Sequence, residues 1–563
     1  MFCVNIFFFF FFFFFFFFFF FFFFFFFFFF FFFFFGVNSF SVTFIFLFDW
    51  LSLVFMSFVF LISGSVLLYS LGYMSGDLNV VRFFYFVFFF VLSMIFFIMM
   101  PDLISLILGW DGLGIVSYCL IIYYGNMNSL SSGLVTLLIN RLGDVFLILS
   151  MGWFLNFGSW HFIFYMNFFD YDFFLLVYLI LFASFTKSAQ FPFCYWLPMA
   201  MAAPTPVSAL VHSSTLVTSG VYLIIRFNYY VFSFDTFFLM FISLITMFVS
   251  GLSACVENDL SKIIAFSTLS QLGFMFFILS FGSLVVCFMH LLIHAMFKSL
   301  LFLCSGIFIH CFLGNQDIRF MGGLVNQCPY ISTCFFISFL CLCGFPFFSG
   351  FYSSDFILEM VILSELGFFY FFFFCLSVGL TFFYSFRLFY YLFFSDSFFF
   401  PLISFNYCFF MNFSLFFLYI FSILGGSFIF WIFGEFILIM DFFFFKILPL
   451  FIMFFFFFFF FNFLFDLLIF FNFFFFFFFN SMWFLNYYST SFFLSRFFKF
   501  SSFSFNLIEL GWFEFYVSDF FIYFLNWFSK FLDSLVFNSM YLYMYSFFFF
   551  FFFFFFFFFF FFF

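Results

Sequence analysis

The chain has 563 residues, 69% of them hydrophobic and 6% charged, with 167 phenylalanines and a formal net charge of −10. Soluble domains run at roughly 45–50% apolar and about 25% charged, so a soluble globular enzyme and a disordered tail are both excluded and a polytopic membrane protein is expected. With 12 basic residues in all, no Lys/Arg cluster is available to follow a phosphate backbone, and no nucleic-acid partner is expected.

Residues 7–35 are an unbroken phenylalanine run. As a helix this run would reach about 43 Å, beyond a hydrocarbon core of roughly 30 Å, so residues 1–43 read as a Phe-rich transmembrane segment that spans with tilt. The first basic residue is Arg82, so neither a secretory signal nor a mitochondrial transit peptide is expected. Phenylalanine has U-rich codons, and its excess points to a T-rich organellar gene. Apolar windows of spanning length follow at 44–69, 83–100, 103–124, 134–155, 173–190, 206–226, 229–250, 262–281, 284–310, 330–347, 355–375, 376–395, 402–433 and 447–471. No alternating ten-residue pattern supports a barrel, so the expected fold is all-α, with about 14 to 16 transmembrane helices. The expected division is the N-terminal segment, a core over 44–400, and Phe-rich C-terminal helices over 401–563, with a second Phe run at 547–563.

Charges at membrane depth are costly and mark pathways by default. Asp111 lies in ISLILGWDGLGIVSYCL, Arg141 and Asp144 in LLINRLGDVFLIL, and Lys187 at the end of LVYLILFASFTK. His290, His294 and Lys298 recur every four residues and so form one stripe of a helix, the pattern of a proton wire. Four of the nine prolines, Pro192, Pro198, Pro204 and Pro206, fall directly after Lys187. They predict a broken helix beside a buried lysine, an arrangement tolerated where backbone lines a wet cavity. Ser208, His212, Thr215 and Ser219 then predict one polar face on the next helix. A second interruption is expected at Gly344, Pro346 and Gly350 in CLCGFPFFSGFYSSD. Arg82, Arg226, Lys262 and Arg319 read as loop markers, too few to set orientation. The 13 cysteines contain no CxxC pair and read as small core residues rather than metal ligands. No glycine-rich phosphate-binding motif occurs, so no nucleotide or flavin site is expected.

Several strings resemble the antiporter-like membrane-arm subunits of mitochondrial NADH:ubiquinone oxidoreductase, respiratory complex I, and within them the chain 5 type. They run from about 48 to 387 and include DWLSL, LYSLGYM, GWDGLGIVSY, NRLGD, KSAQFPFCYWLPMAMAAPTPVSALVHSSTLVTSGVYLI, AFSTLSQLGFM, HAMFKSLLFLCSG, QDIRFMGGL, GFYSSD and TFFYSFRL. PTPVSALVH is shared by several antiporter-like proteins, and QDIRFMGG narrows the likeness to the chain 5 type. Beyond about 400 the only likeness is a faint one around Gly511, Trp512 and Glu514.

The resemblance implies two inverted five-helix repeats, each with a broken helix, and a C-terminal lateral helix. It implies a proton-translocating subunit of the inner mitochondrial membrane, encoded in the organelle. No cofactor or metal is expected in this chain; NADH, FMN, iron–sulfur clusters and ubiquinone would belong to other subunits. The implied partners are the other membrane-arm subunits, especially the neighbouring antiporter-like chain, and the lipid bilayer. By the same resemblance Asp111 stands at a usual glutamate, Lys187 at the first-channel lysine and Lys298 at the central lysine. Asp144, His212, His290 and His294 fall on the same hydrophilic axis. One departure is Ser354, which replaces the lysine of GFYSKD; Asp355 and Glu359 are the nearby groups able to substitute. The alternatives are a cation/proton antiporter-type subunit and a structural membrane-arm subunit with a degenerate pump.

Overall fold

Backbone amides in lipid must be paired within the protein, and this chain meets that constraint with helices. The computed structural model describes residues 10–11, 14, 28–37, 40–161, 173–232, 236–364, 367–398, 409–433, 447, 451–457, 473–485, 487–537 and 540–562. They fall into two units, 1–483 and 484–563. Among the described residues ten helices are long and apolar enough to cross a membrane. Shorter apolar helices accompany them at Phe174–Lys187, Phe193–Ala202, Pro329–Leu342 and Tyr543–Phe558. The expected 14 to 16 spans include these pieces; the window 447–471 lies largely outside the described residues.

In the first unit, the main helices are α1 (Trp50–Tyr73), α2 (Val80–Met99), α3 (Leu103–Ile121), α4 (Met127–Phe154) and α5 (Phe173–Lys187). A π-helix, Ser208–Thr215, leads into α6 (Leu216–Phe232). There follow α7 (Phe237–Val256), α8 (Leu260–Leu279), α9 (Leu284–Cys311), α10 (Pro329–Leu342), α11 (Ser349–Leu363), α12 (Phe368–Phe389) and α13 (Phe409–Phe433). Helices α1, α8 and α9 are buried on nearly all sides, so they form the centre of the bundle and the rest surround them. That burial explains their all-round apolar composition, since a helix with no lipid or water face needs no polar stripe.

Three boundaries differ from the sequence reading. Residues 28–37 and 40–48 pair as antiparallel strands β1 and β2, with Val37 opposite Phe40. The run FSVTFIFLF, rich in β-branched and aromatic residues, favours a strand, so this part of the expected N-terminal span is not helical. The helix expected from 229 starts at Phe237. The boundary expected between the windows 355–375 and 376–395 falls earlier: α11 ends at Leu363, and Gly367 caps the start of α12.

Both expected interruptions are present. Between α5 and the π-helix only single turns form, and Trp196 Nε1 stitches the break by donating to the Thr186 carbonyl at 2.9 Å. Between α10 and α11, Gly344 adopts a left-handed φ of +63°. Gly350 lies so close to the Cys341 carbonyl that a Cβ would sit 1.8 Å from its oxygen. Gly350→Ala should therefore sharply lower the amount of folded protein recovered from membranes; normal recovery would show that the two helices can separate there.

In the second unit a π-helix (Tyr487–Phe492), α15 (Phe493–Ser504), a second π-helix (Phe505–Asp519) and α16 (Phe520–Phe537) follow one another, and α17 covers Met540–Phe562; α14, in the first unit, is Phe473–Asn480. The described side chains of 497–534 are almost all exposed.

Candidate functional site

Most of the candidate site residues collect in two places. The first is at the end of α5, where the chain leaves the helix at Lys187. Its side chain is fully buried. Lys187 Nζ donates to the Trp110 carbonyl on α3 at 2.6 Å and lies 4.2 Å from the centre of the Trp110 ring. The indole turns its own N–H the other way, donating to Asp144 Oδ1 at 2.8 Å. Trp110 thus joins the buried lysine to the buried carboxylate of Asp144. Gly114, one turn on, leaves the room Lys187 occupies, since a Cβ there would lie 4.0 Å from Nζ.

Asp111 is not in this buried pair. Arg141 Nη1 lies 3.5 Å from Asp111 Oδ2 and 3.2 Å from Asp144 Oδ2, and the side chains of Arg141 and Asp111 are 44% and 32% exposed. Lys187 makes no salt bridge among the described residues. Asp111 and Lys187 form no salt bridge; the arrangement is layered, with Asp111–Arg141 outside and Asp144–Trp110–Lys187 inside.

The second group lies on α9. His290, His294 and Lys298 are buried on one helix as their spacing predicts. Lys298 Nζ donates to Ser267 Oγ on α8 at 2.6 Å. His290 contacts Gln271 Oε1 on α8 at 3.0 Å and Ser353 Oγ on α11 at 2.9 Å. Neither ring nitrogen of His294 meets hydrogen-bond geometry with a protein group; its ring stacks at an angle 6.3 Å from that of His290. Gln271 and His290 also line a cavity of roughly 250 Å³ between α8, α9 and the α10–α11 break, together with Ser270, Ser354, Asp355 and Thr381. Its wall is mostly apolar, with Phe274, Phe297, Leu358 and Phe382 among the lining residues, and the polar side chains form one patch of it; its size suits several waters beside that patch. Glu359 is one turn beyond Asp355 on α11, partly buried.

His212 is buried on the π-helix, 6.1 Å from the Trp196 ring, and neither ring nitrogen meets hydrogen-bond geometry. The polar face expected around it is spent locally. Ser208, Thr215 and Ser219 donate to the carbonyls of Thr205, Leu210 and Leu216 in their own helix. Among the described residues no hydrogen bond joins the Lys187 group directly to the Lys298 group.

Trp110, Ser267, Gln271 and Ser353 emerge as site residues only in the fold. For Ser267 and Gln271 a signal exists, because they are four apart in an apolar window and so share a helix face. Trp110 carries none, since a tryptophan in an apolar run reads as core.

Family models match almost end to end. Residues 100–381 match the transmembrane family described as NADH:quinone oxidoreductase/Mrp antiporter. The chain belongs to the NADH:quinone oxidoreductase/Mrp antiporter family. Residues 34–84 match the N-terminus of complex I NADH-ubiquinone oxidoreductase chain 5, and 384–558 the C-terminus of NADH dehydrogenase subunit 5. The family likeness therefore extends through the region beyond 400 where the motifs fade. The chain is 56% identical over 358 residues to NADH-ubiquinone oxidoreductase chain 5 of Locusta migratoria, covering 63% of each. It is 50% identical over 325 residues to that of Lumbricus terrestris, covering 57% of this chain and 56% of the relative. It thus spans less than two thirds of the length of these relatives.

Among solved structures, the Mrp complex of Dietzia sp. DQ12-45-1b matches with a TM-score of 0.62 at 24% identity, over 68% of this chain and 43% of that one. An archaeal membrane-bound sulfane sulfur reductase matches with 0.62 at 21%, over 69% and 66%. These two likenesses establish an antiporter-like helical fold for the family member described here.

Proposed function

We propose that this chain is a proton-translocating membrane-arm subunit of respiratory complex I in the mitochondrial inner membrane. In this reading electron transfer from NADH to ubiquinone, with FMN and iron–sulfur clusters, takes place in other subunits. The observation that carries it is a pair of fully buried lysines, Lys187 and Lys298, neither in a salt bridge among the described residues. A permanently charged ammonium at membrane depth needs a counter-ion in contact. An amine that alternates between protonated and neutral forms is better held by a carbonyl, an indole face or a hydroxyl, and those are the partners here.

Asp144, behind Trp110, supplies negative charge to the Lys187 site, and Arg141 sets how much of it is felt by sharing itself between Asp144 and Asp111. A neighbour that draws Arg141 outward changes the field at Lys187 without touching it. The proton then passes along the axis of His212, Lys298, His294 and His290 to the cavity at Ser354, where Asp355 and water stand in for the family's lysine. The half-exposed Asp111–Arg141 pair sits among exposed Leu108, Ile115, Leu138, Leu142 and Val145. An ion pair facing lipid there would be costly, so this face is read as the seat of the neighbouring antiporter-like subunit. The two broken helices are read as belonging to two inverted halves, and the exposed helix through 487–537 as the lateral helix.

Lys187→Met tests the reading. In the assembled complex, NADH:ubiquinone electron transfer should persist while the proton-to-electron ratio falls. An unchanged ratio would overturn it.

A further inference from the structure

His290 differs from the other buried histidines in having both ring nitrogens engaged, by Gln271 Oε1 and by Ser353 Oγ. A carboxamide oxygen only accepts, so Nε2 of His290 keeps its hydrogen whatever the ring's charge. Nδ1 faces a hydroxyl, which can donate or accept. Ser353 Oγ also lies 3.2 Å from the Gly350 carbonyl oxygen, which only accepts. When the ring is neutral, Ser353 donates to the Nδ1 lone pair. When the ring takes up a proton at Nδ1, that N–H donates to Ser353 Oγ, and Ser353 turns its own O–H onto Gly350. Both states leave every donor paired, and only one hydroxyl hydrogen rotates.

We propose that Ser353 is a two-state hydroxyl switch that lets His290 hold a proton, and release it, at the wall of the Ser354–Asp355 cavity. His294 has no equivalent partner and His212 has only the Ala200 backbone nearby, so a proton placed on either leaves a buried charged donor unpaired by the protein, which is costly. His290 is therefore the histidine of the α9 stripe on which a proton in transit can rest. Gly350 serves twice: its missing side chain lets α11 approach Cys341, and its carbonyl is the second berth for the Ser353 hydrogen. Ser353 is a positioning residue, acting through His290, and the proposal rests on the proton-relay reading above.

The test compares Ser353→Ala, Ser353→Thr and Lys187→Met in the assembled complex. Ser353→Ala should leave complex abundance and electron-transfer rate unchanged and reduce the proton-to-electron ratio by as much as Lys187→Met does. Ser353→Thr, which keeps a hydroxyl, should restore it. A full ratio in Ser353→Ala beside a reduced one in Lys187→Met overturns the switch and leaves the pump reading standing; full ratios in both overturn the two together. If Ser353→Ala depletes the complex, Ser353→Cys replaces it. The weaker hydrogen bonding of a thiol should then give an intermediate ratio, and a full one counts against the switch.

Discussion

Asp144→Asn should lower the proton-to-electron ratio of the assembled complex to the level of Lys187→Met, whereas Asp111→Asn should leave most of this chain's share intact. The difference follows from burial. Asp144 is buried and tied to Lys187 through Trp110, while Asp111 is a third exposed and faces an exposed arginine. Asp144 and Lys187 lie beyond about 4 Å of each other, so at an effective dielectric of about 20 their charges interact by less than the about 4 kcal/mol of a contact pair, and exposed pairs by far less. A change of even a third of that contact figure is about a tenfold effect on a proton equilibrium. Asparagine keeps the acceptor for the Trp110 N–H, so the variant removes charge without leaving the indole unpaired and the complex should still assemble. Measuring the ratio and the electron-transfer rate together separates the outcomes. A ratio that falls with Asp111→Asn and survives Asp144→Asn would reverse the assignment of inner and outer carboxylates.

The helical stripe of His290, His294 and Lys298 was legible because four-residue spacing survives any packing. The two breaks were legible because proline and glycine act locally, through the backbone. The pairing of Asp111 was not. Spacing places Asp111, Arg141 and Asp144 in neighbouring windows, but which carboxylate turns inward depends on the rotation of α3 against α4, which packing fixes. The π-helix at Ser208–Thr215 was hidden for a related reason: hydroxyls at helical spacing look the same whether they line a channel or bond their own backbone. Strand β2 was masked by its neighbours, because a phenylalanine run carries no period from which helix and strand can be told apart.

Ser354 also reads differently in three dimensions. As a sequence position it is a missing lysine. In the fold its hydroxyl faces Gly344, where an added Cβ would come within 2.6 Å of Oγ, and both residues line the cavity with Asp355. The lost cation therefore leaves a hollow with a few polar groups in a mostly apolar wall rather than a collapsed seam. A hollow with a carboxylate and hydroxyls can hold water able to pass a proton, which favours an active pump over a degenerate one.

Breaking the Asp49–Arg226 pair should be the most destabilising single change in the first unit. Arg226 reads in the sequence as a loop marker, yet it lies in α6 with its side chain only 10% exposed and reaches across to Asp49, at the start of α1, through both terminal nitrogens; Nη2 donates to Oδ1 at 2.9 Å. Arg226 Nε also donates to the Tyr222 hydroxyl at 2.8 Å, and Tyr222 donates in turn to the Ile98 carbonyl at 3.1 Å, near the end of α2. One guanidinium thus ties together α1, α2 and α6. Removing one partner of such a buried pair leaves the other charge uncompensated, a loss of about 3–5 kcal/mol. Asp49→Ala should accordingly lower both the amount of folded protein and its half-life in detergent at elevated temperature. Replacing both partners removes the stranded charge, so Asp49→Leu combined with Arg226→Leu should recover part of that loss. If the double variant were no more stable than Asp49→Ala, the damage would lie in lost packing and not in the unpaired arginine. If Asp49→Ala matched the parent, the pair would contribute nothing to holding the three helices together.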